Sequence, residues 1–174
     1  PDGPTRHRIA AGIARAEAHP ITTEQIEREW ATLEAQLERP EILAALARPL
    51  RASDVEPSDP GNDKRHDEWH EEWHVEVERE LPFLHRQGDT LVEGVIDRLV
   101  LERRAGQVVS AQVIDYKTDR IPADDPARLD ERIALYSAQL RSYRDAVAAL
   151  YTISRERIRL TLLFLDVGRA IDVS

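Results

Sequence analysis

The chain has 174 residues, 41% apolar and 33% charged, which suits one compact domain with a buried core rather than a disordered tail. It has no cysteine, which excludes disulfides, Cys-ligated zinc, iron–sulfur clusters and thiol nucleophiles, so chemistry must rest on carboxylate, imidazole, amine or hydroxyl groups. The net charge is −9, with 20 acidic against 11 basic side chains in residues 1–90 and 13 of each in residues 91–174; this argues against a general polyanion binder, because phosphate neutralisation needs clustered Lys and Arg.

No apolar run approaches the roughly 18 residues of a membrane span, and the opening PDGPTRHRIA lacks the profile of a secretory signal. A cytoplasmic protein without membrane contact is expected. The chain opens at Pro1 and contains no methionine, so it is expected to be a segment of something longer.

In chain order, the first third reads as helical. Ile9 and Ile13 stand four apart, and Ile26, Trp30, Leu33 and Leu37 follow a Thr22-x-x-Gln25 capping box, with Pro40 as the stop. A short apolar stretch (Ile42, Leu43, Leu46, Leu50) completes a helical part over residues 1–51. Residues 52–68, rich in Pro, Gly, Asp and Asn, predict a loop. From Val75 the period falls to two, Pro82 marks an edge or a strand end, and the QGD at 87–89 supplies a turn. Two β-rich runs follow, 91–102 and 108–118, joined near Gly106 as an antiparallel meander. After a loop at 121–128, Ile133, Tyr136, Leu140, Tyr143, Val147 and Leu150 recur every three or four residues, which predicts one long amphipathic helix over 129–151. IRLTLLFLDV and RAIDV then read as a buried strand and a short partner. The whole predicts an α/β domain, 1–174, in which helices flank a central mixed sheet carried by residues 69–174.

The candidate chemistry lies in VIDYKTD. Period two puts Val113, Asp115 and Lys117 on one strand face, a carboxylate and an amine about 6–7 Å apart along the backbone. Asp97, in GVIDR of the preceding strand, can lie beside them across the ladder. Two neighbouring carboxylates at the ends of apolar strands repel and desolvate each other. A hard divalent cation such as Mg²⁺ resolves the conflict and leaves positions for water and phosphate. Lys117 would then orient or acidify a bound water and offset charge on a scissile phosphate. Read alone, D-x-K is better explained as a strand-end ion pair, with Asp97 capping a turn.

The wider series, GVIDR, then IDYKTD, then the helical S-A-Q-L-R-S-Y, resembles the RecB-like branch of the PD-(D/E)XK nucleases, found at the end of bacterial recombination helicase–nucleases. The resemblance runs from Gly3 to about Val167. It implies a restriction-endonuclease-like core and a Mg²⁺- or Mn²⁺-dependent deoxyribonuclease, with an exonuclease role in DNA double-strand-break repair and recombination. Its substrate would be DNA, single-stranded or end-processed, delivered by a helicase domain of the same or a partner chain. Asp97, Asp115 and Lys117 take the catalytic positions. Asp97, Asp115, the carbonyl of Tyr116, and His7 of a G-x-x-x-H match at Gly3–His7 would hold the metal. Gln139 and Tyr143, a Q-x-x-x-Y pair on one helix face, would line the site and position substrate. Arg98, Arg120, Arg141 and Arg144 are the basic side chains expected near it. The alternative is a non-catalytic module of the same fold that binds DNA ends or docks a helicase.

A competing motif is His70-Glu71-Glu72-Trp73-His74, which satisfies H-E-x-x-H and with His66 spaces three imidazoles four apart. On a helix this would suggest a zinc protease or adventitious metal binding. The strand-like VEVERELPF begins at once after His74 and leaves little room for that helix, so an acidic, aromatic surface segment is expected.

Overall fold

The computed structural model describes residues 22–47, 73–122 and 124–173. The expected helix through Ile9 and Ile13, the loop at 52–68, and His7, His66 and His70 lie outside the described residues.

Helix α1 spans Thr23–Leu37 behind Thr22, whose hydroxyl accepts the Gln25 N–H while the Gln25 side chain accepts the Thr22 N–H, completing the predicted capping box. It ends on Glu38, before Pro40. Pro40 opens the next helix, α2 (Pro40–Leu46), at a first-turn position where its missing N–H costs nothing.

Strand β1 (Trp73–Gln87) is a long edge strand, β2 spans Thr90–Arg104 and β3 Gln107–Lys117. All three pair antiparallel, as the meander reading required. Pro82 lies within β1 instead of ending it; among the described residues β1 is the edge of the sheet, where proline is tolerated. Ala105 (φ 50) and Gly106 (φ 76) form the two-residue turn between β2 and β3, and two left-handed residues in succession match the twist of the flanking strands.

Helix α3 (Pro126–Tyr151) begins three residues earlier than expected. Pro126 again serves at the first turn, and Asp125 caps the helix by accepting the Arg128 N–H. The helix carries the chain back to β4 (Ile158–Phe164), which pairs parallel to β3, and β5 (Arg169–Asp172) closes the sheet antiparallel to β4. The strand order β1-β2-β3-β4-β5, with one parallel junction, is the mixed sheet predicted.

Two cores lie on opposite faces of this sheet. Leu99, Leu101, Val113, Leu160 and Leu162 pack with Leu140, Tyr143 and Val147 of α3. Val100, Ile114, Leu163 and Leu165 pack with Ile42, Leu33 and Leu37 of α1 and α2. The final Leu150 of the expected α3 stripe is exposed, and Tyr151 packs on the core instead.

Simple alternation fails at one place. Val75 and Val77 belong to the α1/α2 face, whereas Leu81 and Phe83, of the same parity, belong to the α3 face. The change falls at Glu80 (φ 51), between the pairs Arg79–Arg98 and Leu81–Ile96. Beyond this kink the β1–β2 hairpin curls over α3. Gly94 makes that closure possible, because a Cβ there would stand 2.8 Å from Phe83 and 3.2 Å from Tyr143.

Candidate active site

Asp97 occupies the kink. The β2–β3 ladder begins only at Arg98–Ile114, and Asp97 and Glu80 stand between successive pairs of the β1–β2 ladder without pairing each other. The Asp97 carboxylate therefore takes over a strand's role, accepting the Tyr116 N–H of β3 at 2.8 Å through Oδ2. The strands part at the C-terminal end of β3, and the first acid stands in the opening.

Asp115 lies next to it, held on its other side by the parallel ladder to Leu162, and is only 3% exposed. Its Oδ2 lies 2.6 Å from Lys117 Nζ. Burial pushes the Asp115 carboxyl above its ordinary range; the Lys117 ammonium opposes this, and the Asp97 charge adds to it. A carboxylate whose proton affinity is raised by burial and by a neighbouring acid marks a site arranged for charge rather than for stability.

Lys117 Nζ also donates to Gln139 Oε1 at 3.2 Å, and Gln139 Nε2 donates to the Tyr143 hydroxyl at 2.6 Å. The i,i+4 pair on α3 thus forms one relay ending at the lysine. Tyr143 is buried, set edge-on to Phe83 at 5.2 Å, and its hydroxyl is pushed up by burial so that it stays protonated near neutrality. The structure therefore brings Asp97, Asp115, Lys117, Gln139 and Tyr143 together. Tyr116 contributes its backbone; its ring packs in the α1/α2 core beside Arg98.

Two expectations need correction. Arg98 does not face the site: alternation turns it to the α1/α2 side, where Nη2 donates to the Leu46 carbonyl. Arg144 interacts with Glu156, just before β4, at the opposite end of that strand from the carboxylates. His74, the last imidazole of H-E-x-x-H, lies in β1 opposite Arg103, so no helix carries the motif through it, as the strand reading anticipated.

Sequence reasoning missed Asp119 and Tyr136. The Tyr136 ring lies under Lys117 Nζ, 3.9 Å from ring centroid to nitrogen, and its hydroxyl donates to Asp119. Both had a signal: Asp119 continues the parity of Asp115 and Lys117, and Tyr136 precedes Gln139 by three on the same helix face.

Among the described residues no three carboxylate or imidazole groups converge, so there is no closed cage of the structural-zinc kind. Two adjacent carboxylates beside an open end of the sheet fit a hard cation that keeps several of its own waters.

A model of the PD-(D/E)XK nuclease superfamily matches residues 3–172. The chain belongs to the PD-(D/E)XK nuclease superfamily. A five-stranded mixed sheet with helices on both faces agrees with that fold. The chain is also similar to one subunit of the ATP-dependent helicase/nuclease of Lysinibacillus sphaericus (strain C3-41), 35% identical over 86 residues. That match covers 45% of this chain and 7% of the relative, so the chain corresponds to a small part of that larger protein. It supports the RecB-like branch of the superfamily.

Proposed function

We propose that this domain is a divalent-metal-dependent deoxyribonuclease that hydrolyses phosphodiester bonds at the C-terminal end of β3. The observation that carries the reading is the buried Asp115 carboxylate, in contact with Lys117 and beside Asp97, where the ladder opens. Three charged groups converging at a sheet end cost stability, and a module that only bound DNA or docked a helicase would have no use for them.

Asp97 and Asp115 would hold the cation, Mg²⁺ or Mn²⁺, joined by the Tyr116 carbonyl and by His7. When bound, such a cation lowers the pKa of a coordinated water and offsets charge on the phosphate. Lys117 places its ammonium at the reacting phosphate and stabilises the negative charge that grows on its oxygens. Gln139 holds that ammonium through its amide oxygen, and Tyr143 fixes the amide in turn.

The similarity to part of a helicase/nuclease supports a role in processing DNA ends for repair and recombination, with a helicase presenting the strand. Delivery by a motor also suits a net charge of −9, since the domain need not capture DNA unaided. Work on chromosomal DNA would place the domain in the cytoplasm. No helix among the described residues is long and apolar enough to cross a membrane. The test is cleavage of a labelled linear single strand. Hydrolysis should appear with Mg²⁺ or Mn²⁺ and vanish in EDTA and in Asp115→Ala; cleavage undiminished by chelator would overturn the reading.

A further inference from the structure

Lys117 is one of only two lysines in the chain, beside Lys64, in a protein that otherwise uses arginine for its positive charge. A lysine ammonium carries three donors on a flexible four-carbon stem, and without fixed partners it loses considerable rotamer freedom at each productive encounter. Here three supports converge on it: Asp115 Oδ2 at 2.6 Å, Gln139 Oε1 at 3.2 Å and the face of Tyr136 at 3.9 Å. Two of these supports, Gln139 and Tyr136, come from α3, so the hold on the ammonium does not rest on the Asp115 carboxylate alone.

The Tyr136 ring is itself held. Its hydroxyl donates to both Asp119 oxygens, at 3.0 and 2.9 Å, and the ring packs against Phe164 with centroids 6.3 Å apart. Asp119 is anchored by Arg132 Nε at 3.4 Å. A hydroxyl shared with a carboxylate pushes electron density into the ring, which strengthens the attraction of its face for a cation. Tyr136 thus presents a negative face to Lys117, and Asp119 sets how negative that face is.

We propose that Tyr136 and Asp119 are positioning residues: together they form a cation–π seat that holds the Lys117 ammonium in its working place. This deepens the nuclease reading and rests on it, because the seat matters to turnover only if Lys117 acts on the phosphate.

Steady-state cleavage of a labelled single strand by the Mn²⁺-loaded protein tests it, with Lys117→Ala as the reference. Tyr136→Leu should lower kcat about 10- to 100-fold with KM within about twofold, the scale for losing a supporting partner of a reactive group. Tyr136→Phe keeps the ring and should recover most of that loss, leaving kcat about three- to fivefold below wild type. Asp119→Asn should match Tyr136→Phe and cause no further loss when combined with it, and it carries the test if Tyr136→Leu fails to fold. A readout free of turnover comes from ¹³C-lysine labelling, which yields signals from two side chains only. The ε-methylene protons assigned to Lys117 by Lys117→Ala should be shifted upfield by the ring, remain so in Tyr136→Phe, and lose the shift in Tyr136→Leu.

An inactive wild-type protein with this shift pattern intact would break the nuclease reading and leave the seat standing. An active wild type whose Lys117 signal lacks the shift, or a Tyr136→Leu or Asp119→Asn variant with normal kcat, would overturn the seat.

Discussion

The two ends of β3 are built for different purposes. From Gln107 to Ile114 the strand is laddered to β2, with Val113 and Ala111 fully committed to the α3 core. From Asp115 to Lys117 it is laddered to β4 alone, and a carboxylate, the Asp97 side chain, takes the Tyr116 N–H that a strand would otherwise bind. The first end satisfies its backbone with backbone and buries apolar area. The second lets the sheet part and fills the gap with charge. The contrast teaches that rigidity at one end holds the other open: the acids keep their places because the strands bearing them are fixed a few residues away.

The largest expected effect belongs to the open end. Lys117→Ala should lower the cleavage rate at least about 100-fold, the usual scale for a group acting mainly in the transition state, while thermal unfolding shows the fold intact. Rates close to wild type would reduce Asp115–Lys117 to a strand-end ion pair.

The laddered end should answer in stability instead. Leu101, fully buried opposite Ala111, should lose about 3 kcal/mol on replacement by Ala, read by denaturant melts, with cleavage per folded molecule little changed. Activity falling in step with every core truncation would erase the distinction between the ends.

A smaller effect of opposite sign sharpens the comparison. Because burial raises the Asp115 carboxyl, the native state binds that proton more tightly than the unfolded chain. Its contribution to stability therefore falls as pH rises from the unfolded value through the raised native one, and the cost persists above it. In metal-free buffer at neutral pH, Asp115→Asn should stabilise the fold by about 1 kcal/mol and flatten this slope while abolishing cleavage. A lower melting temperature for Asp115→Asn would mean that attraction to Lys117 outweighs burial.

Much of this arrangement was legible in the sequence because its signals are local. Strand parity aligned Asp115 with Lys117, helical spacing aligned Gln139 with Tyr143, and the strand pattern from Val75, which the structure starts two residues earlier at Trp73, ruled against a helix through His74. What escaped depends on packing between distant segments. The reversal of faces at Glu80 breaks the period that strand reading relies on, and it decides that Leu81, Phe83 and Gly94 close over Tyr143. Arg98 was misplaced because its nearness to Asp97 in sequence hides the turn of its side chain to the other face. Tyr136 fitted the apolar stripe of α3, so its place three residues before Gln139 read as core packing and not as a ring beneath an ammonium.

The most direct measurement is calorimetric titration of the protein with Mn²⁺. We expect binding by the wild type, binding of similar affinity by Lys117→Ala, and loss of at least about tenfold in affinity for both Asp97→Asn and Asp115→Asn. Unchanged Mn²⁺ affinity when both acids are replaced would place the cation elsewhere and contradict the assignment of the open end of β3 as the reactive centre.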